Sequence, residues 1–450
     1  MKIELISTYE LGVQPMNLAL PAAFLGAAGH AVACTDTSLS PLPAKRIKEA
    51  EMVAVSTPMH TALHLGLQLI TRIRAINPDV HLCFYGLYAG LHAEHLFEQG
   101  VDSVAAGEYE QELLKIIDTI TAQNRDAAQK IESTSYARQQ FIKPDRSTLL
   151  PLSRYAHVIT ESGCVTAGYT QSSRGCAHRC LHCPITPAYA GRFRIVQKEI
   201  VLADIAQQVE AGARHITFGD PDFLNSVKHA VAIIREMHNR WPELTFDFTA
   251  RVEHLLQHKE ILPELAACGC LFIISAIETL NDDILHILDK GHSKEDIFAA
   301  VTLVKDAGIT LRPTLLPFTP WTKYEDLIMI SDFTEDFDLS ASIDAVQFSV
   351  RLLLPPDSSL LPFCNENGIK LMFDEKRFTF NWQHKEPEMD ALQQRIEALA
   401  AREALRKTSP HQVFPMIKQA IYKAAGKDMP LRGTPHASSI APGLSESWFC

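Results

Sequence analysis

Short apolar runs alternate with longer segments of helical periodicity over the first 120 residues of the chain. The runs that predict strands are KIELIST, HAVACTD, MVAVST, VHLCFYG and VDSVAAG. Between them, segments such as PMNLALPAAFLGAAG and HTALHLGLQLITRIRAI carry apolar residues at helical spacing. This alternation predicts an α/β domain over residues 1–125, with a doubly wound parallel sheet that helices cover on both faces.

Small or polar residues stand where these predicted strands end. The candidates at strand ends are Ser56, Thr57, Gly86, Tyr88, Gly107 and Glu108. Ligands of open parallel sheets bind just beyond the carboxyl ends of the strands. We therefore expect a ligand at this edge of the sheet.

A second alternation follows a polar segment without periodicity at residues 126–160, which we predict to be a linker. The later predicted strands are HITFGDPD, LTFDFTARV, LFIISAIET, ITLRPTLLPF and AVQFSVRLLLPP. Helical patterns separate them, which predicts a full or partial TIM-like parallel α/β barrel over residues 161–360, with its site at the carboxyl ends of the strands. Residues 361–450 predict a small helical region and a loop-like tail.

Composition narrows the classes of function. The apolar fraction of 46% and the charged fraction of 21% are ordinary for a globular protein, and no apolar run is long enough for a membrane span. The start MKIELIST lacks the features of a signal peptide, so we expect a cytoplasmic protein without a membrane partner. A net charge of −11 argues against a nucleic acid partner.

Three of the ten cysteines stand within the stretch RGCAHRCLHC. Thiolates are soft ligands that select zinc, copper(I) or iron-sulfur clusters. A closed zinc site needs a fourth ligand, for which His178 and His182 are the nearby choices, and a chance group of thiols is the remaining alternative. Cys268 and Cys270 precede an apolar run and are predicted to be core residues.

The spacing Cys-x3-Cys-x2-Cys after Arg174 and Gly175 resembles the signature of the radical S-adenosylmethionine (SAM) superfamily. The resemblance implies that Cys176, Cys180 and Cys183 hold a [4Fe-4S] cluster. It also implies that the fourth iron stays open for SAM, which explains why no fourth cysteine is present.

Weaker motifs follow in the order that the superfamily shows. GDPD at 219–222 is similar to the turn that contacts the SAM amino group, where a carboxylate suits an ammonium. The resemblance further implies contacts near the ribose or adenine, and His182 stands where the family usually has an aromatic residue. The implied SAM contacts are His182, Gly219, Asp220, Pro221, Asp222, Arg251, Ser275 and Glu278.

The N-terminal pattern in front of such a barrel resembles the flavodoxin-like, cobalamin-binding class of the superfamily. FYGLYAG and GEYEQEL are similar to the turns of that class, which makes the six strand-end residues cobalamin candidates. The Asp-x-His-x-x-Gly motif of cobalamin-dependent mutases is missing. Cobalamin would then bind without a protein nitrogen on cobalt, or the pocket would be vestigial.

SRGCAHRCLHCPITPAYAGRFR, TFGDPDFLN and the ending SWFC resemble a subgroup of radical SAM proteins with a CUAEP or CCAEP tail, where U is selenocysteine. Cys450 is then a candidate catalytic thiol, and a UGA codon would follow it. Without the resemblance, Cys450 is an idle thiol at a frayed end.

These resemblances imply a radical SAM enzyme with cobalamin that methylates a small molecule or peptide, with flavodoxin or ferredoxin as electron donor. One alternative is the transfer of another SAM fragment, such as the aminocarboxypropyl group, to a soft acceptor. Another is a non-enzymatic cluster or cobalamin sensor. A tRNA methylthiotransferase shares the cysteine spacing, but the acidic charge argues against it.

Overall fold

The computed structural model describes residues 1–122, 130–375, 377–430 and 440–446. Its first sheet has six parallel strands in the order β2-β1-β3-β4-β5-β6. The strands are β1 (Lys2–Ser7), β2 (Ala31–Asp36), β3 (Met52–Ser56), β4 (His81–Tyr85), β5 (Ser103–Gly107) and β6 (Ile131–Ser135). The helices are α1 (Met16–Ala27), α2 (Ala44–Glu49), α3 (His60–Ile76), α4 (Leu87–Leu91), α5 (Ala93–Glu98) and α6 (Tyr109–Ala122).

Two separate apolar clusters cover the two faces of this sheet. Leu18 of α1 and Leu113 of α6 pack on one face, while Leu63 of α3 and Leu96 of α5 pack on the other. Strands buried on both faces read as continuous apolar runs, which is why the sequence pattern located β1 to β5. The doubly wound, flavodoxin-like sheet is confirmed.

β6 lies inside the segment 126–160 that the sequence predicted as a linker. It pairs in parallel with β5, and Ser103 stands opposite Ile131. An edge strand needs only backbone partners on one side, and its polar sequence IESTS is no more than half-buried. The segment 126–160 is therefore not linker alone, because β6 and the later strand His157–Thr160 both lie in it, and the exact domain boundaries stay predictions.

The second sheet has seven strands in the order β14-β13-β12-β11-β8-β7-β17, of which β8 and β11 to β14 are parallel. Its strands are β7 (His157–Thr160), β8 (Gly163–Thr170), β11 (His215–Phe218), β12 (Thr245–Thr249), β13 (Cys270–Glu278), β14 (Thr310–Leu315) and β17 (Gly443–Leu444). A separate hairpin pairs β9 (Ser173–Gly175) with β10 (Phe193–Ile195). The helices are α7 (Ile185–Tyr189), α8 (Lys198–Glu210), α9 (Val227–Arg240), α10 (Val252–Gln257), α11 (Leu262–Ala267), α12 (Asp282–Ile287), α13 (Lys294–Asp306) and α14 (Tyr324–Asp336). The barrel is thus partial, with antiparallel β7 and β17 at one edge.

The strand predicted in AVQFSVRLLLPP does not form. Ala345–Ser349 is a 3-10 helix, and only one bridge joins Phe318 to Arg351. The Gln347 side chain accepts the Leu315 N–H at 2.9 Å, so it takes the hydrogen bond that a neighbouring strand would make with β14. Periodicity alone does not reveal such a side-chain substitute.

The C-terminal region contains a hairpin besides the predicted helices. Its elements are α15 (Leu361–Glu366), β15 (Leu371–Asp374), β16 (Thr379–Trp382), α16 (Pro387–Leu405) and α17 (Pro410–Ala424). The antiparallel pair β15 and β16 is an addition to the expected helical region. Among the described residues, no helix is long and apolar enough to cross a membrane. Cys450 lies outside the described residues.

Candidate functional site

The three cysteines lie in the loop that joins β9 to α7, which we call the cysteine loop (residues 176–183). Gly175 precedes it with a φ of 74°, and a Cβ there would overlap the Tyr189 ring. The Cys183 N–H donates to the Cys180 carbonyl at 3.2 Å, and the Thr186 hydroxyl donates to the same oxygen at 2.8 Å. These bonds turn the end of the loop directly into α7.

Charge and burial decide the state of the thiols. Burial raises the pKa of Cys176 and raises that of Cys183 to about 12, and the neighbouring thiols add to both shifts. The Arg251 guanidinium donates to the Cys180 Sγ at 3.2 Å. Thiols that resist ionisation become thiolates when a metal supplies positive charge, so this donor set fits a cationic soft-metal centre.

The spacing of the sulfurs argues against the single zinc ion that the sequence left open. Among the described His, Cys, Asp and Glu residues, one group brings three ligand atoms within 4.8 Å of one another, and it contains no cysteine. The cysteine sulfurs are therefore spread more widely than one metal ion would hold them. Cys268 and Cys270 are buried, as predicted for core residues.

The turn after β11 contains four of the predicted SAM contacts, and both of its carboxylates already have partners. Asp220 accepts hydrogen bonds from the Ser172 N–H at 2.9 Å, the Ser172 hydroxyl at 2.7 Å and the Ser173 hydroxyl at 2.6 Å. Burial raises the pKa of Asp220 to about 6 against the effect of these bonds. Asp220 thus fixes the segment that leads into the cysteine loop.

Asp222 is completely buried at the end of the same turn. Its Oδ1 accepts the Leu224 N–H at 3.1 Å and caps the short 3-10 helix Phe223–Ser226. Gly219 packs against Tyr169 so closely that a Cβ would overlap the ring. The turn therefore tolerates only glycine at its first position.

Two further predicted residues lie on β13, and one of them, Glu278, contacts the cysteine loop. Glu278 lies 3.2 Å from His182 Nε2 and accepts from Lys290 Nζ at 3.0 Å. Burial opposes the ionisation of Glu278, but Lys290 and His182 outweigh it and hold the pKa of Glu278 well below its usual value. Ser275 is fully buried on β13, and its hydroxyl has no partner among the described residues.

A cavity of about 550 Å³ lies between the carboxyl edge of the first sheet, the cysteine loop and the C-terminal region. Gly219, Asp220 and Pro221 line it on the barrel side, while Pro184 and Ile185 line it directly after Cys183. Five tyrosines give it flat apolar walls: Tyr88, Tyr109, Tyr136, Tyr169 and Tyr189. The cavity thus joins the two predicted ligand edges.

Of the six strand-end candidates, Tyr88 and Gly107 line this cavity. The others lie behind its wall, where Thr57 donates its hydroxyl to the Tyr85 carbonyl at 3.0 Å. Gly86 has a φ of 109° and packs against the Thr57 carbonyl, and Ser56 is fully buried. These residues shape the edge of the sheet without facing the space.

A buried ion network joins the two halves, and no spacing motif in the sequence predicts it. Arg174 Nη2 donates to Glu110 Oε1 at 2.6 Å, and Arg174 Nη1 lies 3.3 Å from Glu108 Oε2. The guanidinium also lies 5.0 Å from the centre of the Tyr109 ring. Because Arg174 stands two residues before Cys176, this network ties the cysteine loop to the first sheet. The acidic letters of GEYE were its only sequence signal.

A family comparison agrees with the geometry, since residues 170–329 match the profile of the Radical SAM superfamily. These residues form a radical SAM domain. The matched range includes the cysteine loop, the turn after β11, Arg251 and Glu278. The radical SAM domain implies a [4Fe-4S] cluster and SAM, and the wide trio of thiols beside Arg251 fits that cluster.

Two solved structures share the whole arrangement. The cobalamin-dependent SAM radical enzyme OxsB, with aqua-cobalamin and SAM bound, matches 94% of this chain and 71% of its own at a TM-score of 0.73 and 14% identity. The radical SAM methyltransferase TsrM of Kitasatospora setae, with cobalamin and [4Fe-4S] cluster bound, matches 82% of this chain and 77% of its own at a TM-score of 0.65 and 16% identity. At such identities the likeness shows the fold.

Two curated relatives are similar in sequence. An uncharacterized methyltransferase of Pyrococcus horikoshii is 22% identical over 51% of this chain and 48% of its own. A protein of Methanocaldococcus jannaschii with the provisional name of a methylthiotransferase is 24% identical over 58% of each chain. The alignments thus span about half of these relatives.

Proposed function

We propose that this protein is a cobalamin-dependent radical SAM methyltransferase that acts on a small molecule or peptide. One observation carries the proposal: a single cavity is lined by the turn after β11, by Gly175 and Pro184 on either side of the cysteine loop, and by the carboxyl edge of the flavodoxin-like sheet. The structures of OxsB and TsrM, which have the same fold, are described with cobalamin bound, and TsrM is named a methyltransferase.

Cys176, Cys180 and Cys183 would hold the cluster, which when bound supplies the electron for the reductive cleavage of SAM. The protein's own residues prepare this chemistry. Arg251 places a fixed positive charge 3.2 Å from the Cys180 sulfur, where it stabilises a thiolate. Lys290 holds Glu278 as a carboxylate beside the loop, so Glu278 can accept hydrogen bonds but does not donate a proton.

The first sheet offers cobalamin a wall without a nitrogen ligand. His60, the histidine nearest to the strand ends, lines the cavity, but its Nε2 is bonded to the Arg377 carbonyl at 2.7 Å. Tyr88 and Tyr109 offer flat surfaces, and Gly107 lies in the same wall, where a Cβ would overlap the Ser135 carbonyl of β6. Of the two possibilities that the sequence left, these residues support binding without a protein nitrogen on cobalt.

The C-terminal region closes the remaining side of the cavity, where we place the substrate. Gln393 and Glu397 of α16 line it together with Ser349. The Gln393 amide donates to the Ser349 carbonyl at 2.9 Å and lies 3.2 Å from Glu397 Oε2. This wall combines these polar groups with the apolar side chains of Val346, Val350 and Leu353, and suits a substrate that has hydrogen-bond donors and an apolar part.

Product analysis tests the proposal. The anaerobically reconstituted protein is incubated with SAM, a low-potential reductant and methylcobalamin. We expect 5′-deoxyadenosine and methylcobalamin-dependent turnover. Cys180→Ser should abolish both, whereas Cys164→Ser, which removes an exposed thiol on β8, should leave both unchanged.

Other products point to the rival functions. Methylthioadenosine would indicate aminocarboxypropyl transfer, and a methylthio product would favour the function in the name of the M. jannaschii relative. A reconstituted cluster that does not cleave SAM would contradict the enzyme and favour a redox or cobalamin sensor.

Two finer parts of the proposal need their own tests. We infer a flavodoxin or ferredoxin as electron donor, and replacement of the chemical reductant by either protein tests this. Membership of the CUAEP or CCAEP subgroup, with Cys450 beside a selenocysteine, rests on the sequence resemblance. A UGA codon after Cys450 would support it, and UAA or UAG would contradict it.

A further inference from the structure

Three potential metal ligands from three separate elements meet beside the cysteine loop. His178 comes from the loop itself, Asp222 from the turn after β11, and His254 from α10. Their ligand atoms all lie within 4.8 Å of one another, and no other trio of described residues does this. Neither the cluster nor the cavity uses His178 or His254.

The distances suit one metal ion. His178 Nε2 lies 3.3 Å from His254 Nε2 and 3.9 Å from Asp222 Oδ2. Ligands bound tetrahedrally to zinc by bonds of about 2.1 Å lie roughly 3.4 Å apart. These two separations lie on both sides of that value. The His254 atom closest to Asp222 Oδ2 is Nδ1, at 2.8 Å, so the His254 ring would turn to present one nitrogen to the ion.

The burial of Asp222 is a second, independent indication. Asp222 is fully buried, and its Oδ1 caps the 3-10 helix, but its Oδ2 forms no hydrogen bond with the described residues. Oδ2 lies only 2.8 Å from His254 Nδ1, yet the ring and the carboxylate do not have hydrogen-bond geometry. A buried carboxylate oxygen without a donor is costly, and a cation would remove that cost.

A carboxylate also stands on the far side of His178. Glu253 Oε2 lies 3.8 Å from His178 Nδ1, the ring nitrogen that faces away from the trio. Metal-bound imidazoles commonly donate their other N–H to such a group, which fixes the ring. At 3.8 Å the pair is not hydrogen-bonded, and Glu253 Oε2 also lies 3.5 Å from Arg251, so Glu253 would have to shift toward His178 to fix the ring.

We propose that His178, Asp222 and His254 bind a divalent transition metal ion, with zinc as the best fit. Two imidazoles and one carboxylate form a known zinc donor set that leaves a position for water. The ion would join the cysteine loop to β11 and α10. It would act as a clasp that holds the loop in place independently of the iron-sulfur cluster.

Zinc binding is measured first without the cluster thiols, because free cysteines also bind zinc. A Cys176→Ser, Cys180→Ser, Cys183→Ser protein is dialysed against micromolar zinc chloride, and its zinc content is determined by mass spectrometry. We expect about one zinc per chain. The further change His254→Ala or Asp222→Asn should remove it, while His258→Ala, on a neighbouring, partly exposed histidine, should not.

The protein with intact cysteines provides a second readout that loss of folding cannot imitate. Reconstituted His254→Gln should keep its iron and lose its zinc, and its cluster absorbance should decay faster in air than in the unchanged protein. The proposal would be overturned if neither the triple Cys→Ser protein nor the protein with intact cysteines contained zinc. It would also be overturned if His254→Ala and Asp222→Asn retained the zinc. Equal zinc loss in His258→Ala would show adventitious surface binding and overturn it as well.

Discussion

Glu10 is a buried carboxyl group at the carboxyl end of β1, on the wall of the cavity. Its Oε2 accepts from the Asn17 side chain at 2.9 Å. Burial raises the pKa of Glu10 from 4.5 to about 7, although the bonds with Asn17 oppose the shift. The folded protein therefore holds a proton here that the unfolded chain has lost.

This shift predicts a pH dependence of stability. The folded state binds more protons than the unfolded state between pH 4.5 and about 7, so stability falls as pH rises through this range. Glu10→Gln removes the effect. Relative to the variant, the protein with Glu10 should lose about 3 kcal/mol of unfolding free energy across that window. Denaturant unfolding of both proteins at several pH values measures this difference. Identical pH profiles of the two proteins would contradict the buried, neutral Glu10.

Arg174 is the residue on which the contact between the two halves depends most. Arg174→Met would leave Glu108 and Glu110 buried without their cation, and breaking such a pair costs about 3–5 kcal/mol. We expect a lower thermal midpoint, which Glu110→Gln in the same chain should partly restore. Arg179→Met, at an exposed position in the cysteine loop, is the matched control and should change stability little.

For single residues, the sequence predicted candidate site residues better than it predicted which residues contact one another. The cysteine spacing predicts the cluster ligands, because that motif is local, and this assignment stays a prediction. Asp220 and Glu278 were found as site residues, but their partners Ser172 and Lys290 were not. Arg174 and Glu110 are 64 positions apart, and only the fold brings them together.

Secondary structure elements followed the periodicity where burial was strong. β1 to β5 and β11 to β14 were predicted from short apolar runs bounded by turn residues, although β12 (TFDFT) and β14 (TLRPTL) also contain polar residues. Two predictions of secondary structure failed for different reasons. β6 was not predicted because it is a polar strand at the edge of its sheet. The strand expected at 345–356 does not form because the Gln347 side chain takes its hydrogen bond to β14. Neither feature changes the pattern of apolar residues.

The attachment of α17 to the barrel depends on a buried lysine. Lys418 Nζ lies 2.8 Å from Asp332 and 2.5 Å from Glu335 on α14. Lys418→Met should lower stability by about 1–3 kcal/mol, less than for a fully buried pair, because both carboxylates are partly exposed.

Limited proteolysis measures this attachment directly. The Lys418→Met protein should be cut earlier between α16 and α17 than the unchanged protein. Lys423→Met, at an exposed position on the same helix, should behave like the unchanged protein. Equal cleavage of all three would show that apolar contacts alone hold α17.

The whole molecule places one cavity between two ligand edges that the sequence predicted separately. The sequence predicted a sheet, a full or partial barrel and their strand ends. It did not predict that both sets of strand ends line one cavity of about 550 Å³. That arrangement depends on contacts such as Arg174 with Glu110, which no local pattern encodes. The shared fold of OxsB supports the same interpretation over 94% of the chain.

The corrinoid content of the protein tests the central claim most directly. The protein is purified anaerobically from cells supplied with cobalamin, and its cobalamin and iron are quantified together with its absorption spectrum. We expect about one cobalamin per chain, with an absorption spectrum that shows no protein nitrogen bound to cobalt, alongside the iron of one [4Fe-4S] cluster. A protein with a complete cluster and no cobalamin would contradict it.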